Sequence, residues 1–243
     1  MPPPHCLHQA KASLRRTLAS VVRIVEGKSM SDPSAEFDRL IAGYRRFRSD
    51  DWSQQRARWA ELAEGQSPKT LVIACSDSRV DPTRIFDVSP GELFVVRNIA
   101  NLVPPFETTK GHHGVSAALE FAVTQLNVPE VIVLGHGACG GVSASLNHAF
   151  EGEAPGRGGF IADWVSLLNE ARDRVVAEHG MGTEAVHALE LECVRVSLAN
   201  LRTFPFVPQR EAAGTLRLRG AYFAIAEGVL HLLDEQKGAF SPA

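Results

Sequence analysis

The sequence predicts an α/β protein with a mostly parallel central sheet of four to five strands flanked by helices. Three short apolar runs point to the sheet: Leu71-Val72-Ile73-Ala74-Cys75, Leu93-Phe94-Val95-Val96 and Val131-Ile132-Val133-Leu134. None of them alternates, which is the pattern of a strand covered on both faces. Segments of helical spacing lie between them, and strands alternating with helices argue right-handed crossovers on a parallel sheet.

Taken in order, Asp32-Pro33 supplies a capping residue and a proline at the first helical position. Phe37, Leu40, Ile41, Tyr44 and Phe47 then share one face of an amphipathic helix. Residues 53–63 read as a second helix ending near Gly65. Residues 114–126 have helical spacing through Val115, Leu119, Ala122, Val123 and Leu126. After the third strand comes a glycine-rich loop at 152–159, then helices at 161–176 and 183–201. Residues 216–218 and 222–225 are fainter strand signals. With no internal repeat or linker, residues 30–243 read as a single domain.

At 243 residues and 44% hydrophobic composition the chain can build a core of ordinary size. Its net charge of −3, with both signs interspersed, argues against nucleic acid as a partner. The longest apolar stretches are too short to cross a bilayer. Four cysteines, Cys6, Cys75, Cys139 and Cys193, are few for this length and fit reduced thiols in a cytoplasm. Residues 1–29 differ from the rest: Lys11, Arg15, Arg16, Arg23 and Lys28 against Glu26 give them +4, leaving −7 on residues 30–243. They read as a disordered extension or a non-native start ahead of Met30, with an Arg-rich targeting peptide as the other reading.

The chemistry gathers in two motifs. Cys75 opens Cys75-Ser76-Asp77-Ser78-Arg79, and His136 and Cys139 stand in Gly135-His136-Gly137-Ala138-Cys139-Gly140-Gly141. Two thiols and an imidazole are a soft three-ligand set for zinc, and three protein ligands leave a position for water or substrate. Both motifs follow strands, where ligands bind in open α/β sheets. Two thiolates weaken the ion as a Lewis acid, so the water it holds needs help to ionise. Asp77 can orient that water and Arg79 can aim Asp77, or Asp77 can bind the zinc as a conditional fourth ligand and close the site.

Two other motif readings fail on spacing. Gly135-x-Gly137-x-x-Gly140 matches a dinucleotide fingerprint, but residues 151–163 read as a loop entering a helix, not as the second strand with its acidic end. Cys75 as a nucleophile lacks an evident base.

With Pro90-Gly91-Glu92-Leu93-Phe94-Val95-Val96-Arg97-Asn98-Ile99-Ala100-Asn101 between them, these motifs resemble the β-class carbonic anhydrases, in their plant-like subgroup, over roughly residues 34–235. The resemblance implies a zinc enzyme interconverting carbon dioxide and bicarbonate, with N-terminal helices that extend to a partner subunit. Cys75, His136 and Cys139 would hold zinc, Asp77 would orient the zinc-bound hydroxide and Arg79 would hold Asp77. Gln66 matches a substrate-side amide, Phe94, Ile99 and Phe121 an apolar pocket wall, and Gly140 a backbone donor. The resemblance also implies a homodimer or a dimer of dimers, with Phe37, Leu40, Ile41 and Tyr44 at the contact.

Members inhibited by bicarbonate at a second site have tryptophan where this chain has Val72. Arg97 of that site is present, but the set is incomplete, so no such switch is expected. Phe121 stands where plant-like members have tyrosine. His112 or His113 could relay the proton to buffer. Hydrolysis of carbon disulfide or carbonyl sulfide on the same scaffold stays open, because pocket access decides it.

Overall fold

The computed structural model describes residues 33–243. They fall into two compact units, one ending at Gly65 and the other spanning Gln66–Ala243. The expectations for residues 1–29, Cys6 and the Asp32 cap lie outside the described residues.

The first unit is helical: α1 (Pro33–Ser49), α2 (Asp51–Gln54) and α3 (Arg56–Glu64). The helix expected at 53–63 is divided because Gln55 leaves helical geometry, with ψ at 27°. Phe47 and Trp59 meet edge to face with ring centroids 5.5 Å apart, which ties α1 to α3. Phe37, Leu40 and Tyr44 line one face of α1 and are more than half exposed.

The second unit is built on six strands: β1 (Thr70–Cys75), β2 (Leu93–Asn98), β3 (Glu130–His136), β4 (Arg217–Ala224), β5 (Val229–Asp234) and β6 (Ala239–Pro242). Their order is β2-β1-β3-β4-β5-β6. The pairs β1–β2, β1–β3 and β3–β4 are parallel, whereas β4–β5 and β5–β6 are antiparallel. The sheet therefore exceeds the expected four to five strands. The two faint signals near 216–225 are one strand, β4, and two hairpin strands follow it. β5 and β6 escape the sequence reading because the second is only four residues long and the first is at most half-buried. β2 read as a central strand but lies at the sheet edge, where Val95 is 36% exposed.

The helices of this unit are α4 (Pro82–Ile85), α5 (Gly114–Glu120), α6 (Gly140–Leu146), α7 (Gly159–Val165), α8 (Asn169–His179), α9 (Thr183–Leu201) and α10 (Phe206–Ala212). α5 continues as a wider π-helical turn through Phe121–Gln125, so the segment expected at 114–126 is helical throughout but not uniform. The helix expected at 161–176 is divided by a 3₁₀ turn at Ser166–Leu168.

α9 organises the packing. Its Val194, Leu198 and Leu201 cover Leu71, Ile73, Val131 and Val133 on one sheet face, together with Leu119 of α5. Its Leu189 and Cys193 pack with Cys75, Cys139, Val80 and Leu146 beyond the strand ends. Val72, Ala74, Leu134 and Ala221 face the other way, against Ile85 and Phe86. Leu71, Val72 and Ile73 are fully buried, and each such side chain contributes about 1.5–3 kcal/mol of hydrophobic transfer. The closeness of α9 to the sheet depends on Gly135, where a first side-chain carbon would stand 2.7 Å from Val194 Cγ2. Gly135→Ala is therefore expected to destabilise the fold by about 1–3 kcal/mol through overpacking. Urea unfolding should show a lower midpoint at unchanged slope.

Candidate metal centre

The parallel pairing of β1 with β3 sets Ala74 beside Leu134, so both strands end at the same edge of the sheet. Cys75 is the last residue of β1, His136 the last of β3, and Cys139 follows three residues later, just before α6. The three ligand atoms lie within 4.8 Å of one another, and all three residues are buried. Expected just beyond its strand, His136 is instead its final residue.

The histidine ring is prepared for a metal. Its Nδ1 donates to the Gly137 carbonyl at 2.9 Å, which leaves Nε2 as the nitrogen with a free lone pair. Nε2 is buried with no hydrogen-bond partner among the described residues. Such an atom ordinarily costs a folded protein stability, so its position facing two thiols fits a cation at that point. Two thiols and one imidazole suit zinc and do not suit calcium or magnesium.

The thiols act on each other. Cys139 is the main group that lowers the Cys75 thiol below its ordinary range, against burial, and His136 and the amides of Asp77 and Ala100 assist. Cys139 is pushed up, first by Cys75 and then by its own burial. The Ala100 amide reaches the site from a tight turn at Ile99–Asn101, where Ala100 and Asn101 adopt φ values of 61° and 48°. Side chains from two helices brace that turn: Trp164 Nε1 donates to Ile99 O at 2.8 Å, the Cys193 thiol to Ala100 O at 2.9 Å and the Ser197 hydroxyl to Asn101 O at 3.0 Å.

Asp77 and Arg79 form a bidentate pair. Arg79 Nε donates to Oδ1 at 2.9 Å and Nη2 to Oδ2 at 2.6 Å, while the Arg79 backbone amide also reaches Oδ1. The Arg79 guanidinium is the main cause that holds the Asp77 carboxyl down at about 2. Arg79 Nη2 also donates to Ala138 O, so one side chain spans both ligand motifs. From the neighbouring strand Arg97 braces the first motif, donating to the carbonyls of Cys75, Asp77 and Val80 at 2.9, 2.6 and 3.1 Å.

The expected pocket wall divides into two groups. Ile99 and Gly140 stand at the metal end, Ile99 directly after Asn98, which pairs with Cys75, and Gly140 directly after Cys139. Phe94 pairs with Leu71 instead, four residues upstream of Asn98, or roughly 13 Å along the strand. Phe121 packs on Phe94 with ring centroids 5.9 Å apart and is 44% exposed. Gln66 is exposed and precedes β1 at the end opposite Cys75. His113 is held by its own loop, with Nε2 at 2.9 Å from Thr109 O and Nδ1 at 3.3 Å from Glu107.

Comparison with known proteins places this geometry. Residues 70–230 match the family described as carbonic anhydrase, and the chain belongs to that family, in its β class. It is 36% identical over 218 residues to beta carbonic anhydrase 3 of Arabidopsis thaliana, covering 85% of this chain and 83% of the relative. Among solved structures, the β-carbonic anhydrase CcaA superposes with a TM-score of 0.79 at 32% identity, over 86% of this chain and 92% of that one. One of two tetrameric β-carbonic anhydrases from Sordaria macrospora gives a TM-score of 0.70 at 28% identity, over 85% and 99%. The class supports carbon dioxide hydration, and the Cys-His-Cys group is compatible with its zinc. No helix among the described residues is long and apolar enough to cross a membrane.

Sequence reasoning missed Glu190, whose carboxylate accepts from the Cys139 amide, and Tyr222, which donates to Glu190. The available signal was an acid flanked by Leu189 and Leu191 in α9.

The lowered Asp77 pKa gives a signed expectation. Its ionisation contributes stability that is present above the ordinary carboxylate range and is lost as pH falls through about 2. Because Arg79 is 48% exposed, solvent screens the pair to about 1 kcal/mol or less. Arg79→Met should raise the Asp77 pKa from about 2 toward 3.8, read by carboxyl carbon NMR. Asp77 stays ionised at neutral pH in both proteins, so any activity lost at pH 7 reports orientation and not charge.

Proposed function

We propose that this chain hydrates carbon dioxide reversibly to bicarbonate and a proton at a zinc ion held by Cys75, His136 and Cys139. The observation that carries the reading is the buried, unpartnered Nε2 of His136 facing two thiols within 4.8 Å. A zinc ion there supplies the Lewis acidity that lowers the pKa of water toward neutrality. Asp77, ionised throughout the neutral range, accepts a hydrogen bond from the attacking water and turns its lone pair toward carbon. Arg79 aims Asp77 by engaging both carboxylate oxygens. The closed arrangement, with Asp77 as fourth ligand, would compete with those bonds for the carboxylate.

Carbon dioxide is apolar and uncharged, so apolar surface with a few donors is sufficient to hold it. Ile99 and the Gly140 amide provide this at the metal end. Phe94, Phe121 and Gln66, at the far end of the strands, complete the pocket only by reaching the metal end of a second copy. A homodimer is the inferred working unit, and the tetrameric Sordaria relative supports a dimer of dimers. The exposed Phe37, Leu40 and Tyr44 of α1, with Ile41 beside them, offer further apolar surface for such an assembly. The reading asks for a reducing, cytoplasmic setting, because Cys75 and Cys139 must stay thiols to hold the metal.

Purified protein is expected to hold about one zinc per chain and to hydrate carbon dioxide in stopped flow. Zinc-loaded protein that leaves the uncatalysed rate unchanged would refute the activity. Asp77→Asn should retain zinc while kcat falls about 100-fold or more, the usual weight of a positioned acid–base group. The shared pocket predicts complementation. Cys75→Ser and the double variant Gln66→Ala, Phe121→Ala should each be impaired alone, and refolded mixtures should regain activity because one site in each mixed dimer is intact. Mixtures no better than the parent variants would argue that each subunit's pocket is self-contained.

A further inference from the structure

The peptide group joining Ala138 to Cys139 is held at both ends. Its carbonyl accepts from Arg79 Nη2 at 3.0 Å, and its N–H donates to Glu190 Oε1 at 3.0 Å. A trans peptide points these two groups in opposite directions, so a cation on one side and an acid on the other set the rotation of the plane. The hold has something to resist, since Ala138 sits at φ +54°, a region alanine rarely occupies.

Glu190 is 3% exposed, and burial of a carboxylate is unfavourable unless its oxygens are hydrogen-bonded. Here both oxygens serve the ligand turn. Oε1 takes the Cys139 amide, and Oε2 accepts from the Tyr222 hydroxyl at 3.0 Å. That hydroxyl packs on Gly137, 3.0 Å from where a first side-chain carbon would stand. His187 Nδ1 lies 3.2 Å from the Tyr222 hydroxyl and 3.8 Å from Glu190 Oε2. Arg79, Gly137, Ala138, His187 and Tyr222 line one cavity of about 670 Å³, so the turn borders open space and not packed core. Core packing on that side does not fix it.

We propose that Glu190 is a positioning residue of the metal centre, which with Arg79 clamps the Ala138–Cys139 peptide and thereby sets Cys139 Sγ against Cys75 and His136. The proposal rests on the zinc reading above. Its reach extends to Asp77: the carbonyl that Glu190 helps to orient is also an acceptor for Arg79, whose remaining bonds hold Asp77.

The test is zinc release to a chelator, together with the absorption spectrum of cobalt-loaded protein. Glu190→Ala is expected to lose zinc about 10–100-fold faster than wild type, as loss of an outer-shell partner does, and to shift the thiolate-to-cobalt band. Glu190→Gln offers an amide oxygen to Cys139 and an amide N–H to Tyr222, and should restore release to within about threefold. A folded Glu190→Ala protein with wild-type release and spectrum overturns the proposal, as does a Glu190→Gln protein equally impaired. If Glu190→Ala does not fold, Tyr222→Phe decides, with about fivefold faster release expected for one lost hydrogen bond and unchanged release overturning the clamp. Wild-type protein that takes up no zinc overturns the functional reading and this one with it. Normal wild-type zinc with unaltered variants overturns this one alone.

Discussion

Everything in the metal centre depends on the parallel pairing of β1 with β3. Because Ala74 lies beside Leu134, Cys75 and His136 end their strands at the same edge, and the short turn to Cys139 brings in the third donor. Parallel strands require a long crossover between them, here residues 76–129, and that length lets β2 and its following turn be laid beside the site. A one-residue slip in this register would move His136 about 3.3 Å along the strand relative to Cys75.

Two buried thiols and an imidazole nitrogen without a partner are unfavourable neighbours in a folded core. Their surroundings compensate with backbone amides and with polar and charged side chains together. Amides of Asp77 and Ala100 support Cys75, Arg97 satisfies three carbonyls of the first motif, and α9 supplies Glu190, Cys193 and Ser197 along one buried stripe to the turns around the Cys-His-Cys group. The same helix buries Val194, Leu198 and Leu201 in the hydrophobic core. Stability of the fold and geometry of the site thus share one element. The largely apolar packing of α9 fixes the height at which its polar groups meet the turns.

Much of this was readable in the residues. The Cys75, His136 and Cys139 donor set, the two-residue spacing of Asp77 and Arg79, the uninterrupted apolar run of β1 and the extent of α9 are local patterns; the structure brings the three donors together, pairs Asp77 with Arg79 and forms β1 and α9 where they were read. The edge position of β2, the hairpin strands β5 and β6 and the broken helix at 161–176 were not legible. Edge and centre differ by what lies beside a strand, and Leu93-Phe94-Val95-Val96 has the same composition in either place. A four-residue strand such as β6 has too few positions to display a period.

By itself the sequence determined the chemistry available: which side chains can bind a soft metal, which acid lies within reach of which base, and which segments bury themselves. Only the tertiary structure decided which of these meet. Phe94 and Ile99 belong to one continuous stretch of sequence, yet strand geometry sends them to opposite ends of β2, so the pocket that reads as one divides in two. Glu190 and Cys139 are 51 residues apart, yet they share a hydrogen bond. The physical reason is the same in both cases. Local periodicity reports how a segment folds on itself, whereas register and helix packing, which bring distant atoms together, are settled by burial summed over the whole domain.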